Sequence, residues 1–432
     1  HYRSDSAHRL DRSILATVNG RPYFDDGQAR VANAQSCFLG DMNILVYCDE
    51  ELGVAGGGSR QVVEFVRALA TRGHAVCVVA PKPRTKMDEA FVLGGARPVW
   101  VRVLRLPVIR PLLYLAGSAV ALFRAMWREK PEILLWFDSP GQIAPLWCSL
   151  VLRCPYVLFV NGLPAEELTG LWGRAPIRGL VQWALRLSAQ QAQAVLSVCR
   201  EIPQWMQQEW GIEAARCCVI RNGVDPSACV PRDKAAARRR LGLSPDRPYI
   251  GFVGGFFPWH GLDTLVEAMV LVRREYPTAM LLLVGDGQTK PVLEAMVRQR
   301  GLEEAVSFVG RVGFDEVPWW IGASDLCVVL HRPVRFYPGD SMKLWEYMAC
   351  ARPVVATAGE GYGDLVEALG AGVSVKGDDA RALAQGLCRL IQNPAAASRM
   401  GQSGRAAVLD AHTWEARAVE LERVFGILPV ES

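Results

Sequence analysis

Long uncharged apolar runs are missing from this chain of 432 residues, although half of its residues are hydrophobic. The two nearest candidates for a membrane span, 111–123 and 139–152, are closed by charged residues and fall short of the roughly 18 residues that a span needs. Residues 1–13 are charged and polar, which is not the pattern of a secretory signal. We therefore expect a cytoplasmic protein, with peripheral contact to the inner face of a membrane as an option.

Paired cysteines and a strong net charge are also missing. The 12 cysteines are scattered and none forms a Cys-x-x-Cys pair, so we expect buried free thiols and no metal centre. Forty-eight basic and 44 acidic residues leave a net charge of +4, too little over this length to indicate a nucleic-acid partner. The apolar content is sufficient for two or three folded domains.

After the first forty residues, apolar runs of strand length alternate with stretches of helical periodicity. Runs such as 44–48, 75–80 and 133–137 are continuously apolar, which is typical of parallel strands covered on both faces. Turn residues at 221–226 interrupt the alternation, which restarts at 249–253. The sequence predicts an α/β protein with two Rossmann-like parallel-sheet domains facing a central cleft, where ligands would bind beyond the carboxyl ends of the strands.

The predicted division has four parts. Residues 1–41 form an accessory extension, in which Asn19 and Gly20 suit the type I′ turn of a short hairpin. The two sheet domains follow, and a terminal helix is expected to cross back to the first of them. The predicted bounds of these last three parts are 42–221, 222–410 and 411–432.

The most specific stretch is a Pro-Gly-Asp-Ser turn that leads into a predicted helix. The N–H groups around Gly339, Asp340 and Ser341 would stand at the helix N-terminus, which favours an anion. Lys343 adds a positive charge, and Glu346, on the same helical face, offers a carboxylate that can hold two ribose hydroxyls. The same residues also fit an ordinary capped helix with a Lys/Glu surface pair.

Further glycine-rich motifs precede this helix in a fixed order, at 254–261, 284–287 and 308–312. Together with Asn-Gly-Val-Asp at 222–225, this order resembles the family-4 retaining glycosyltransferases of group 1 type, which have the GT-B fold, and it covers residues 42–425. The resemblance implies an enzyme that moves a sugar from a UDP- or GDP-linked donor to a glycan, lipid-linked or small-molecule acceptor. It implies neither a resident cofactor nor a metal ion.

The resemblance also implies roles by position. Glu346 would hold the nucleotide ribose, as the second glutamate of the family's Glu-x7-Glu motif. Lys343 and the turn before it would bind the diphosphate and the donor sugar, and His260 completes the expected catalytic set. The remaining expected donor contacts are backbone or loop positions: Gly57, Gly58, Gly254, Gly255, Arg311 and Val312.

Three departures from the family pattern accompany the resemblance. Pro338 stands at the first glutamate position, Gly255 and His260 replace the usual arginine and lysine, and a histidine of the first domain is absent near Asp138. We interpret this as a branch variant in which other cations restore the missing charge, although the candidates also fit as solvated loop residues: Arg332 and Arg335. A non-catalytic scaffold that keeps nucleotide binding remains the alternative.

The mechanism that the resemblance implies is front-face attack with retention, in which a donor phosphate oxygen takes the acceptor proton. No pair of carboxylates is then required, and the sequence shows none, which also speaks against a sugar epimerase. For the acceptor, the stretch 102–128 is both basic and apolar and could lie on an anionic membrane surface. The pattern is more typical of a strand and a core helix that carry ordinary surface arginines.

Overall fold

A computed structural model describes most of the chain as two compact units. The N-terminal unit contains the described residues between 41 and 230, together with 339–346 and 408–427, and the C-terminal unit contains 231–332 and the described residues between 347 and 407. The described residues are 17–18, 21–22, 41–53, 56–83, 92–102, 110–139, 141–162, 175–332, 339–359 and 362–427.

Little of the accessory extension is described. Strands β1 (Thr17–Val18) and β2 (Arg21–Pro22) pair antiparallel at the position of the predicted hairpin. Its turn residues Asn19 and Gly20, and the rest of 1–40, lie outside the described residues.

The N-terminal unit is built on a parallel sheet of seven strands. The five inner strands are continuously apolar and almost entirely buried, as the continuous apolar runs predict, whereas the two edge strands are mostly half-buried. The order across the sheet is β5-β4-β3-β6-β7-β8-β9. In chain order the strands are β3 (Asn43–Tyr47), β4 (Ala75–Pro81), β5 (Arg97–Val101), β6 (Ile133–Phe137), β7 (Tyr156–Val160), β8 (Ala194–Ser197) and β9 (Cys217–Val219).

Helices cover both faces of this sheet, and each face has its own apolar core. Five of them connect the strands: α1 (Gly57–Thr71), α2 (Arg110–Glu129), α3 (Ala144–Leu152), α4 (Ala175–Gln191) and α5 (Glu201–Trp210). One core includes residues of α1 and of the last helix in the chain, and the other includes residues of α2, α3, α4 and α5.

The C-terminal unit repeats this architecture with six parallel strands in the order β12-β11-β10-β13-β14-β15. The strands are β10 (Tyr249–Val253), β11 (Met280–Val284), β12 (Val306–Gly310), β13 (Leu326–Val329), β14 (Val354–Thr357) and β15 (Gly372–Val375). The helices that follow α5 in the chain are α6 (Lys234–Arg240), α7 (Leu262–Glu275), α8 (Lys290–Gln299), α9 (Val317–Ala323), α10 (Met342–Ala349), α11 (Gly363–Ala368), α12 (Ala380–Gln392) and α13 (Pro394–Ala411).

The last helix, α14 (Trp414–Ile427), packs in the N-terminal unit. Its Glu422 accepts a hydrogen bond of 2.9 Å from Nη2 of Arg72 and lies 3.0 Å from Nε2 of His74, at the end of α1. Just before the helix, Val224 forms a parallel bridge with Thr413.

The predicted α/β fold with two parallel-sheet units is confirmed, and the described cysteines are free thiols, most of them buried. None of the helices in the described part of the chain combines the length and apolar character needed to cross a membrane.

Candidate functional site

The turn before α10 is held by a buried carboxylate, that of Asp340. It accepts hydrogen bonds from the backbone N–H of Asn222 at 2.5 Å, from Nε1 of Trp345 at 3.3 Å and from Nη1 of Arg221 at 3.4 Å. Its side chain is fully buried, and its backbone carbonyl accepts a further bond of 2.8 Å from Nδ2 of Asn222. Asp340 therefore fixes the start of α10 against the 221–222 segment, which is why contacts group 339–346 with the N-terminal unit.

Glu346, one turn into α10, forms an ion pair with a residue that the sequence did not indicate. Its Oε1 lies 2.8 Å from Nη1 of Arg60 on α1, and the two side chains are only 12% and 13% exposed. Burial raises the pKa of Glu346, while the positive charges of Arg60 and Lys343 oppose the shift. Arg60 is further oriented by Glu64, whose Oε1 lies 3.6 Å from its Nε.

Lys343 stands in the first turn of α10, beside this pair. Loss of hydration lowers the pKa of its ammonium group to about 8, against the opposing negative charge of Glu346. A partly dehydrated cation at a helix N-terminus interacts strongly with an anion. The first turns of α1 and α10 are neighbours, because a Cβ on Gly57 would lie 3.5 Å from Cε of Met342.

A line of hydrogen-bonded amide side chains supports the first turns of α1 and α10. Nδ2 of Asn161 donates to Oε1 of Gln61 at 2.6 Å, and Nε2 of Gln61 donates to Oδ1 of Asn222 at 2.9 Å. Asn222 in turn holds Asp340. The line thus connects the end of β7 through α1 to the turn before α10.

Seven of the residues predicted to contact the nucleotide sugar lie in the N-terminal unit, near the first turns of α1 and α10. These are Gly57, Gly58, Gly339, Asp340, Ser341, Lys343 and Glu346. Arg60 was missed because an arginine on an amphipathic helix carries no local signal that distinguishes it from a surface residue. Pro338 and Arg335 lie outside the described residues.

The other predicted residues belong to the C-terminal unit, at the carboxyl edge of its sheet. Gly254 and Gly255 follow β10, and Arg311 and Val312 follow β12. A Cβ on Gly285 would lie 2.0 Å from the carbonyl oxygen of Gly254, so the two glycines permit a close backbone approach.

His260 ends a short 3₁₀ turn, and its Nδ1 lies 2.6 Å from the carbonyl oxygen of Gly255. A carbonyl only accepts, so Nδ1 carries the hydrogen and donates it. The neutral ring then presents Nε2 as an acceptor, and only the imidazolium form can donate to a phosphate. This limits the predicted role of His260 to its protonated state.

Arg332 is engaged with carboxylates of its own unit. Its Nη2 lies 3.0 Å from both oxygens of Asp263, and its Nε lies 2.6 Å from Oδ1 of Asp378. Two negative charges thus already compensate its guanidinium, so its predicted use for a diphosphate would require these ion pairs to break.

The structure corrects the expectation that the first domain has no paired carboxylates. Asp49 and Asp138 follow the neighbouring strands β3 and β6 at the carboxyl edge of the N-terminal sheet. Loss of hydration, and the negative charge of Asp49, raise the pKa of Asp138 to about 7. The pair was missed because the two residues are far apart in sequence, although both directly follow predicted strands.

Among the described residues, no group of three or more histidine, cysteine, aspartate or glutamate side chains is arranged to hold a metal ion. Around α10, the described site residues offer the carboxylate of Glu346, the cations of Arg60 and Lys343, and a helix N-terminus held in place by Asp340.

Solved structures with the same two-sheet architecture are glycosyltransferases and related synthases. Sucrose-phosphate synthase from Thermosynechococcus elongatus superposes with a TM-score of 0.72 at 22% identity, over 90% of this chain and 99% of that one. Anabaena HepE in complex with UDP superposes with a TM-score of 0.71 at 18% identity, over 90% of this chain and 100% of that one. The architecture is thus the GT-B fold.

Two family descriptions match the two halves of the chain. Residues 55–228 match Glycosyltransferase Family 4, and residues 247–393 match Glycosyl transferases group 1. The chain belongs to this family of GT-B glycosyltransferases, and it is an enzyme that takes a sugar from a nucleotide-sugar donor.

Its relatives are named for the transfer of different sugars. The GDP-mannose-dependent alpha-(1-6)-phosphatidylinositol monomannoside mannosyltransferase of Mycolicibacterium smegmatis is 28% identical over 84% of this chain and 94% of that protein. The alpha-D-kanosaminyltransferase of Streptomyces kanamyceticus is 26% identical over 78% of this chain and 91% of that protein. These names are those of enzymes, which speaks against the non-catalytic scaffold.

Proposed function

We propose that this enzyme transfers a sugar, with retention of anomeric configuration, from a UDP- or GDP-linked donor to a hydroxyl of a glycan or glycolipid acceptor. The observation that carries the proposal is the arrangement at the start of α10, where Glu346 is paired with Arg60 at 2.8 Å beside the partly dehydrated Lys343. We further propose that it needs neither a resident cofactor nor a divalent metal ion.

Glu346 binds the nucleotide ribose in this proposal. A carboxylate has about four acceptor positions, and Arg60 occupies one of them at Oε1. Two ribose hydroxyls can therefore donate to the remaining positions. Because the carboxylate is already buried and held by Arg60, little ordering is needed when the donor binds.

Lys343 stabilises the leaving diphosphate. Negative charge on the diphosphate increases as the glycosidic bond breaks, so a preorganised cation lowers the barrier of the chemical step. The N–H groups around Ser341, at the N-terminus of α10, add a favourable dipole. A donor phosphate oxygen takes the proton of the acceptor hydroxyl, so the proposal uses no protein base.

The relatives support a glycolipid or glycan as the acceptor, since one of them is named for a phosphatidylinositol monomannoside and a GDP-mannose donor. The donor base in this proposal is uridine or guanosine, because HepE is named as a complex with UDP and the mannosyltransferase is named as GDP-mannose-dependent. Thermal-shift screening of UDP and GDP, followed by calorimetry with the corresponding sugar donors, distinguishes the two.

Replacement of Glu346 tests the site. We expect Glu346→Ala to weaken donor binding by roughly 1.5–3 kcal/mol, about tenfold to a hundredfold, because a hydrogen bond to a charged group is lost. The measurement is the donor dissociation constant by isothermal titration calorimetry.

The control is Glu267→Ala, which removes a partly exposed carboxylate that pairs with Arg300 at 2.6 Å and takes no part in the proposed site. It should bind the donor like the wild type. An unchanged dissociation constant in Glu346→Ala, or an equal loss in both variants, would remove the basis for the ribose assignment.

A further inference from the structure

Helix α2 presents apolar side chains to solvent on its outer side. Val120, Phe123 and Trp127 are 52%, 40% and 69% exposed, and the rings of Phe123 and Trp127 stack with centroids 6.5 Å apart. The residues recur at helical spacing, so they form one stripe. Single exposed apolar residues are ordinary, but a stripe of large ones calls for an explanation.

The next two helices continue this pattern. On α3, Trp147, Leu150 and Val151 are 61%, 56% and 64% exposed, and on α4, Leu180 and Trp183 are 62% and 55% exposed. Three tryptophans therefore face solvent from three helices. Elsewhere in the described chain, the exposed large apolar residues are few and scattered.

The three helices lie on the same face of the N-terminal sheet. Their inner residues, such as Leu122, Leu146 and Leu185, belong to one core cluster that covers that face. The outer residues consequently form one surface, which we call the three-helix face. A groove of about 600 Å³ between α2 and α3 opens in it, and its walls include Leu115, Phe123, Ile143 and Trp147.

The charges that the described residues place on the three-helix face are mainly positive. Arg124, Arg128, Arg178 and Arg186 are exposed on α2 and α4, whereas the sequences of the three helices contain a single acidic residue, Glu129. That glutamate is already paired with Arg97 and lies 3.8 Å from Nε of Arg128. The described residues of the face thus combine tryptophans and leucines with a net positive charge.

We propose that the three-helix face docks on an anionic lipid bilayer, with its tryptophans in the headgroup region and its arginines against the lipid phosphates. Tryptophan favours this region because its ring is apolar and its N–H is polar, and arginine is attracted to the negative surface. The groove between α2 and α3 accommodates an acyl chain. The sequence predicted membrane contact through 102–128 alone, and 103–109 lie outside the described residues. The structure adds α3 and α4 to this surface.

Binding of the full chain to vesicles tests the proposal independently of donor chemistry. We expect the wild type to cosediment with vesicles of phosphatidylglycerol and phosphatidylcholine, to bind pure phosphatidylcholine weakly, and to dissociate as salt is added. The variant Trp127→Ser/Trp147→Ser/Trp183→Ser should bind at least about tenfold more weakly, because apolar area is lost from the interface.

The control is a variant with three exposed apolar residues replaced elsewhere, Val292→Ser/Phe314→Ser/Leu409→Ser, which should bind vesicles like the wild type. Circular dichroism and donor calorimetry establish that both variants are folded. A charge variant, Arg124→Gln/Arg128→Gln/Arg178→Gln/Arg186→Gln, should lose the preference for anionic vesicles, at about fivefold per arginine.

Two results would overturn the proposal. One is wild-type protein that does not bind anionic vesicles, or an aromatic variant that binds them as well as the wild type. The other is a wild type that does not bind vesicles but forms a concentration-dependent dimer, which the aromatic variant does not form. The three-helix face would then bind a second copy of the chain. Intact donor binding in either case would leave the proposed function unaffected.

Discussion

At the scale of single residues, Lys343 combines two properties that a leaving-group cation needs. It stands in the first turn of α10, and its pKa is lowered to about 8, so it is still mostly protonated at pH 7. Because the ligand-free pKa is close to the physiological range, the proposed role makes donor binding depend on pH in a defined direction.

We expect donor affinity to fall as the pH rises above about 8, since only the protonated ammonium group attracts the diphosphate. The loss corresponds to roughly 1.5–3 kcal/mol, the contribution of a charge-assisted hydrogen bond. In Lys343→Arg the charge persists over this range, so the affinity should stay nearly constant. Calorimetry at several pH values measures both.

Turnover of the wild type with a chelator, and of Lys343→Ala without it, tests the remainder of the proposal. Lys343→Ala should lose about 10²–10³ in rate, more than it loses in donor binding. Abolition of wild-type turnover by the chelator alone, or full activity of Lys343→Ala, would show that another group supplies the charge.

Asp138 is a second residue whose environment sets its protonation. Its pKa is raised to about 7 by loss of hydration and by the charge of Asp49. The folded state therefore retains a proton that the unfolded state releases near pH 4. Consequently this residue makes the protein less stable as the pH rises from about 4 to about 7.

We expect Asp138→Asn to be more stable than the wild type at neutral pH, by roughly 1–3 kcal/mol, with the difference vanishing near pH 4. Urea unfolding at both pH values measures it. Asp225→Asn should instead be less stable than the wild type at neutral pH. Despite burial, hydrogen bonds from Ser227 and Ala228 and the charge of Arg67 lower the pKa of Asp225. A stability difference for Asp138→Asn that does not change with pH would contradict the assignment.

At the scale of elements, the bridge between Val224 and Thr413 joins the chain before α6 to the chain before α14. Backbone bonds of 3.1 Å from Val224 N to His412 O and of 3.2 Å from Trp414 N to Val224 O hold it together. Gly223 permits this approach, because a Cβ there would lie 2.6 Å from the backbone nitrogen of Trp414.

We therefore expect Gly223→Ala to destabilise the protein by roughly 1–3 kcal/mol, since backbone atoms, which cannot rotate away, would have to move. Gly179→Ala is the matched control: its Cβ meets nothing within 4 Å on helix α4, so it should be neutral or slightly stabilising. Thermal unfolding of the two variants compares them. Equal melting temperatures would mean that the bridge contributes nothing.

At the scale of the whole molecule, the apolar cores formed by the described residues begin at Met42. Every described site residue also follows it in the chain. The accessory extension therefore contributes to neither the described cores nor the described site.

We predict that a chain starting at Met42 keeps its fold and its turnover, with a change in unfolding free energy below about 0.5 kcal/mol. Donor hydrolysis and a melting curve, compared with the full chain, check this. A shortened chain that folds but has lost transfer to the acceptor would show that residues 1–41 order or complete the site.

Much of the fold followed from the sequence because hydrophobic periodicity is local. Strands such as β3, β6 and β10 were predicted within one residue, since continuous apolar runs between turn residues admit few other structures. The short strands β9 and β15 were missed, because three or four residues carry too little periodicity to stand out from their surroundings.

The sequence by itself determined the alternation of strands and helices, the two sheets and the anion-favouring turn before α10, because each depends on neighbouring residues. Only the tertiary structure decided which distant residues meet. The order β3-β6 placed Asp49 beside Asp138, and the packing of α1 against α10 paired Arg60 with Glu346. Such pairs depend on strand order and helix packing, which are set by the burial of the whole core rather than by any local pattern.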